Sequence, residues 1–329
     1  MATPIGTNVV TSIARRYIMP EVVDNIYPGN PVFFRLNAAN KRIIQGGTQI
    51  EVPLMYSRFG TGGAYSGLDV LDVAPSDTVK NGAWDWRQYY VNVTVDGLTL
   101  IKTDSPEAIA NFIQLYFAQA EMEMAENLAD GLWSNGVTNT KKIDGLGGAV
   151  DDGGVLATYA GITRASNTWW NSYDDSSTAA LTVAAMQTAF TSVSKGGRHP
   201  TLIASRVEQY NRFIALFANT STAAPQVFPH MAGGHDEQLL SAGFTNILFN
   251  NVPWVIDSHV FDGPNASNSA IVLLDEDFIS LAVSPRADFY LQDFQEAITQ
   301  DAMVAKMLWA GNIIVTNCAT QGKLTNISS

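Results

Sequence analysis

From Thr48 to Tyr56 the side chains alternate: Ile50, Val52, Leu54 and Tyr56 share one face, Gln49 and Glu51 the other. Trp86 to Asp96 repeats the pattern, with Tyr89, Val91, Val93 and Val95 set against Tyr90, Asn92, Thr94 and Asp96. A period of two predicts strands with one covered face, because successive side chains point to opposite sides. Between these runs lie residues 57–85, rich in glycine (Gly60, Gly62, Gly63, Gly67, Gly82). That span is too long for a hairpin turn of about two to five residues, and an isolated two-stranded ribbon is marginal in water. Two arrangements fit. One is an arm-like β excursion resting on another surface, with Tyr65, Leu68, Val70, Leu71 and Trp84 as its contact residues. The other is a strand pair inside a sheet with a loose connection.

The period then changes. Ile109, Phe112, Ile113, Tyr116, Phe117, Ala120, Met124 and Leu128 recur at steps of three and four, one apolar stripe on a helix. Asp104 or Ser105 can cap it, Pro106 suits its first turn, and Gly131 or Gly136 would end it. A second helix is predicted over Thr182–Lys195 and a third near Arg206–Ala218. Short strands are predicted at Thr201–Ser205, Ile247–Phe249, Val252–Ile256, Ala270–Leu274 and Phe278–Val283. A longer one covers Ala302–Thr316, with a bend allowed at Gly311. The first 44 residues, interrupted by Pro4, Pro20, Pro28 and Pro31, cannot build a core and read as an arm. The mixture is α+β, and strands distant in sequence must pair, so discontinuous domains are expected.

Composition adds one point. Lys and Arg number 19 against 31 Asp and Glu, a net charge of −12, and charged residues make up only 15% of the chain. An average domain carries about 25%, so much of this surface is expected to meet other protein. The acidic balance argues against a broad basic face that grips nucleic acid. No 18-residue apolar run is present, and Met1–Val10 lacks a signal pattern, so neither a membrane helix nor secretion is expected. The single Cys318 fits a reducing compartment and inert packing.

Candidate chemistry is sparse. Phosphate-loop, nucleophile-elbow and His-Glu-x-x-His patterns are absent. His230 and His235 are five apart beside Asp236, off the helical spacing of paired metal ligands. Asp151-Asp152-Gly153-Gly154 lacks the alternating ligands and closing Glu of a calcium loop and reads as a polar turn. Trp169-Trp170 could stack on a sugar or base, but fits better as an anchor onto a core or interface. The acidic run Glu121, Glu123, Glu126 and Asp130 reads as a solvated face or a site for a basic partner. No enzyme, cofactor or metal site is expected.

The order of elements, with a set of phrases, resembles the major capsid proteins of tailed bacteriophages, which have the HK97-type shell fold. The phrases are Ile143-Asp144-Gly145-Leu146, Thr158-Tyr159-Ala160-Gly161-Ile162 with Arg164, Trp169-Trp170-Asn171, Thr201-Leu202-Ile203-Ala204-Ser205 through Tyr210, Val252-Pro253-Trp254-Val255-Ile256 and Gln321-Gly322-Lys323-Leu324. The resemblance covers nearly the whole chain. It implies an arm (1–44), an extended β loop with its base (45–100), a peripheral domain (101–177 and 278–310, with a spine helix over 105–131) and an axial domain (178–277 and 311–329).

The resemblance also implies a function: pentamers and hexamers of this chain tiling an icosahedral shell around double-stranded DNA, assembled in a bacterial cytoplasm and resident in the virion. The extended loop would lie over a neighbouring subunit, and the arm, with Arg15, Arg16, Tyr17 and Tyr27, would tie capsomers together. DNA would be contacted weakly and without sequence preference. The excursion begins near residue 45, which leaves no room for a fused scaffold. A separate scaffolding protein and a portal are therefore expected partners, and decoration proteins remain open. Lys80 is the sole lysine of 57–85 and has no evident partner, so covalent crosslinking is not expected. Two alternatives stand beside the viral shell: an encapsulin-like compartment and, remotely, a carbohydrate-binding or carbohydrate-active protein using the paired Trp with Asp174 and Asp175.

Overall fold

A computed structural model describes residues 30–96, 106–177, 179–218, 246–261, 269–296 and 300–328. Arg15, Arg16, Tyr17, Tyr27, His230 and His235 lie outside the described residues, as do the side chains of Ile109, Phe112 and Ile113.

Along the chain, α1 (Pro31–Ala39) leads into β1 (Lys41–Ile43), β2 (Gln49–Met55), β3 (Val79–Asp85) and β4 (Arg87–Asp96). Then come α2 (Pro106–Leu132), a single turn α3 (Leu146–Ala149), β5 (Thr158–Tyr159), β6 (Ile162–Thr163), β7 (Tyr173–Asp175) and β8 (Ala179–Ala180). The next stretch holds α4 (Val183–Val193), β9 (Leu202–Ser205), α5 (Val207–Ala218), β10 (Asn246–Phe249), β11 (Val252–Ile256) and β12 (Ile271–Leu274). The chain closes with β13 (Ile279–Val283), β14 (Tyr290–Leu291), β15 (Gln295–Glu296), β16 (Ala302–Val315), β17 (Gly322–Leu324) and β18 (Ile327–Ser328).

Two six-stranded sheets carry the architecture. The first is organised by β16. One edge pairs antiparallel with β4 from Ala302↔Asp96 to Gly311↔Arg87; the other takes β15, β14 and β13 in succession, and β1 adds in parallel to β13. The period-two face of β4 is the covered one: Val91, Val93 and Val95 are buried, Val91 and Val93 in one core with α2, while Tyr90, Asn92, Thr94 and Asp96 point away. At 27 residues α2 spans about 40 Å, and Ala120, Met124, Leu128 and Leu132 turn its stripe to the core.

Glycine at 131 does not stop α2. It makes room for the neighbours, since a Cβ there would lie 2.4 Å from Tyr89 Oη. Gly311 likewise sits inside β16, where a Cβ would lie 2.2 Å from the Ala282 carbonyl oxygen. Backbone cannot yield as a side chain can, so Gly311→Ala is expected to cost about 1–3 kcal/mol or more, read as a lowered urea midpoint.

The second sheet runs β10-β11-β9-β12-β17-β7. Asn250 and Asn251, both with positive φ (49° and 64°), make the tight turn between β10 and β11. The sheet's strands β9, β11 and β12 are buried on both faces, which explains their largely apolar runs. Ile203, Trp254, Ile271 and Leu273 pack with Met186 and Phe190 of α4 and Phe213 of α5. The alternate residues Leu202, Ala204, Val255, Val272 and Leu274 join the core of the first sheet. Thr182 caps α4, its Oγ1 accepting from the Ala185 N–H at 3.1 Å.

Strand membership cuts across the expected domain edges. β7 (173–175) belongs to the second sheet, and β16 keeps residues 311–315 in the first, because a continuous 14-residue strand is not broken at residue 310. Cys318 is fully buried, and burial pushes its thiol up to about 12. The folded chain should therefore resist iodoacetamide at pH 8 and label only after denaturation.

Candidate assembly surface

Residues 49–85 form a hairpin. β2 pairs with β3 from Gln49↔Asp85 to Met55↔Val79, and the projecting loop is 56–78, shorter than the sequence implied. The run 79–85 conceals its strand because Asn81-Gly82 reads as a turn. Gly82 is needed there, since a Cβ would press on the Trp84 ring at 2.7 Å.

The hairpin base is clamped to the body. Ile50 and Leu54 are buried, and Trp84 meets Tyr159 edge-on at 6.1 Å. The Ala83 N–H donates to the Ala160 carbonyl at 3.0 Å, and Tyr56 stacks on Trp169 at 5.3 Å. Lys80 Nζ donates to Asn167 Oδ1 at 2.5 Å, so this amine has a partner within its own chain. Trp169-Trp170 is thus an anchor: Trp170 is buried, packs with Tyr159 and donates Nε1–H to the Tyr159 carbonyl at 3.2 Å. Its ring has no face left for a sugar.

Beyond the clamp the loop is bare. Leu68, Val70 and Val73 are 102%, 99% and 89% exposed, and Tyr65 and Leu71 are exposed with them. Local polar contacts shape the tip: the Ser66 N–H donates to Asp69 Oδ2 at 2.8 Å, the Ala74 N–H to Asp72 Oδ1 at 3.0 Å and Ser76 Oγ to the Phe59 carbonyl at 3.1 Å. Trp84 must be withdrawn as a tip contact. Paired with Ile50 on the covered face, it is 1% exposed and has no surface to offer a neighbour. The sequence reading missed Met55, Phe59, Val73 and Val79, all exposed. Clusters of apolar residues in a glycine-rich stretch without a period were the available signal.

Behind the hairpin lies a buried charged joint. Arg164 is fully buried; its guanidinium donates to the Asp151 carbonyl, and Nη2 donates to the Gly148 and Ala149 carbonyls at 3.0 and 2.7 Å. Lys323 Nζ, on β17, lies 2.9 Å from Asp151 Oδ1 and 3.1 Å from Asp174 Oδ2. Asp151 Oδ2 accepts from the N–H groups of Gly153, Val155 and Leu156 at 2.9, 3.0 and 3.0 Å. Burial works to raise the Asp151 pKa, but the Leu156 N–H and the Lys323 ammonium outweigh it and hold the carboxyl below the usual range. At Asp174 burial prevails over Lys323 and the carboxyl is raised.

Asp151, Asp152 and Asp174 bring carboxylate oxygens within 4.8 Å of one another. The Lys323 ammonium already fills the cation's place between two of them, so the trio does not fit a metal. The joint ties the loop after α3 to β7 and β17 of the second sheet. Asp151-Asp152-Gly153-Gly154 is the polar turn the sequence implied, and Arg164 and Lys323 are the partners that its residue types did not reveal.

No family model and no curated protein matches the chain. Solved structures do. The capsid asymmetric unit of cyanophage A-1(L) is similar over 97% of this chain and 98% of that one, with a TM-score of 0.69 and 14% identity. The capsid of a native GTA particle matches over 99% and 100%, with a TM-score of 0.65 and 12% identity. The holo-SrpI encapsulin complex from Synechococcus elongatus PCC 7942 matches over 99% and 97%, with a TM-score of 0.59 and 10% identity. At these identities the shared property is the fold, an α+β chain of HK97-type architecture.

Proposed function

We propose that this chain is a structural shell subunit, a phage-type major capsid protein that self-associates through pentamers and hexamers into an icosahedral shell enclosing double-stranded DNA. The observation that carries this reading is the loop 56–78, whose clamped base and bare apolar tip suit it to lie on another subunit. On this reading the first sheet with α2 is the peripheral part, and the second sheet with α4 and α5 is the axial part around the local symmetry axis. The subunit resides in the virion and is assembled in the host bacterial cytoplasm. A separate scaffolding protein and a portal complete the partners. The arm expected over 1–44, with Arg15, Arg16, Tyr17 and Tyr27, ties capsomers together only through the part before α1, because Val32, Phe33 and Leu36 of α1 are buried in the core and β1 pairs with β13. A net charge of −12 suits a wall that encloses DNA without gripping it.

The likeness to an encapsulin supports a second reading, a compartment that holds protein cargo. Negative-stain microscopy of the purified chain, alone and co-expressed with a scaffolding protein, tests both. Closed shells or capsomer rings are expected, and a monomer under every condition would end the shell reading. Nuclease-resistant DNA inside the particles favours the capsid; protein cargo without DNA favours the compartment.

A further inference from the structure

Away from the hairpin and the buried joint, three segments meet at one polar cluster. Glu126 of α2 faces His259 Nε2 through Oε1 at 2.7 Å and accepts from Asn30 Nδ2 through Oε2 at 3.0 Å. His259 follows β11 of the second sheet. Its Nδ1 lies 3.6 Å from Asp257 Oδ1, and its backbone N–H donates to that same oxygen at 2.9 Å. Asp257 is fully buried, and its Oδ2 has no hydrogen-bond partner among the described residues. The His259 side chain is 15% exposed and that of Glu126 36%. Asn30 immediately precedes α1. One imidazole therefore stands between a carboxylate of the helix that covers the first sheet and a carboxylate of the second, with Ser258 Oγ 3.3 Å from the same ring nitrogen as Asp257. The adjoining packing is apolar: Trp133, just past α2, meets Phe261 at 6.3 Å.

We propose that Glu126, His259 and Asp257 form a pH-sensitive latch between the long helix and the second sheet, closed while the imidazole is protonated and loosened when it loses its proton. A neutral imidazole can donate from one nitrogen only, whereas the cation donates from both and pairs with both carboxylates. The Asp257 carboxylate facing Nδ1, with the Glu126 carboxylate at Nε2, raises the His259 pKa above its ordinary value of 6.5, although burial works against it. The sign follows from linkage. A raised folded-state pKa means that the latch contributes fully below about pH 6.5 and that its contribution is lost as pH rises through the folded value. The latch does not depend on the shell reading, because all its parts lie within one chain.

Hydrogen exchange of the full chain between pH 6 and 8.5, corrected for the intrinsic pH dependence, tests it. Peptides covering 120–133 and 252–261 should lose protection as pH rises, by up to about tenfold for each unit by which the imidazole is raised. His259→Gln should flatten that dependence, and Glu126→Gln, which can still bond Asn30, should move its midpoint down. No pH dependence in the parent chain, the same slope in His259→Gln, or an unmoved midpoint in Glu126→Gln would each overturn the latch.

Discussion

A chain carrying Leu68→Ser, Val70→Ser and Leu71→Ser will fold as the parent does and fail to assemble. These side chains are 102%, 99% and 57% exposed, so folding gains little from them. Covering one such side chain with a neighbour is worth about 1.5–3 kcal/mol. Losing three at a contact removes more than about 4 kcal/mol, on the order of a thousandfold in association, and a shell repeats the contact at every subunit. Sedimentation velocity should find small species where the parent makes large ones, with unchanged far-ultraviolet circular dichroism and urea midpoint. Shells at parental yield would remove the loop from the assembly account and leave the arm to carry it.

The second large effect is on stability. Lys323→Met will destabilise the chain by about 3–5 kcal/mol, because it leaves half-buried Asp174 beside buried Asp151 without an ammonium between them, and Arg164, 3.8 Å from Asp151 Oδ2, does not replace it. That is a large fraction of the roughly 5–15 kcal/mol that holds a domain together. Arg198→Ala is the control. Arg198 pairs with Asp277 at 2.9 Å, but their side chains are 51% and 68% exposed, so its loss should stay within about 1 kcal/mol. Urea denaturation of both variants decides the matter: if Lys323→Met costs no more than Arg198→Ala, the joint is not a stability element.

These two sites differ in how far the sequence revealed them. The loop apolar residues Tyr65, Leu68, Val70 and Leu71 could be singled out because an apolar cluster without a period, among glycines, has no core of its own to join. Trp84 was misplaced because its strand contains Asn81-Gly82, a turn signal that pairing with β2 overrides. The joint was hardly visible. Nothing in the spacing of Asp151 and Lys323, 172 positions apart, says that they touch at 2.9 Å. His259 and Glu126, 133 apart, are the same case.

The sequence by itself determined the local elements and their order: the alternating strands at 49–55 and 87–96, the long stripe of α2, the capped α4, and a loop too apolar and too rich in glycine to stand alone. These are properties of short segments, fixed by side-chain period, caps and turn residues within a few positions. The tertiary structure decided the partners: that β4 pairs with β16 rather than with β2, that Gly131 and Gly311 serve close approach rather than termination or bending, and which buried charge meets which. Those outcomes depend on contacts between residues from about thirty to more than two hundred positions apart, where only the packed whole brings the groups together.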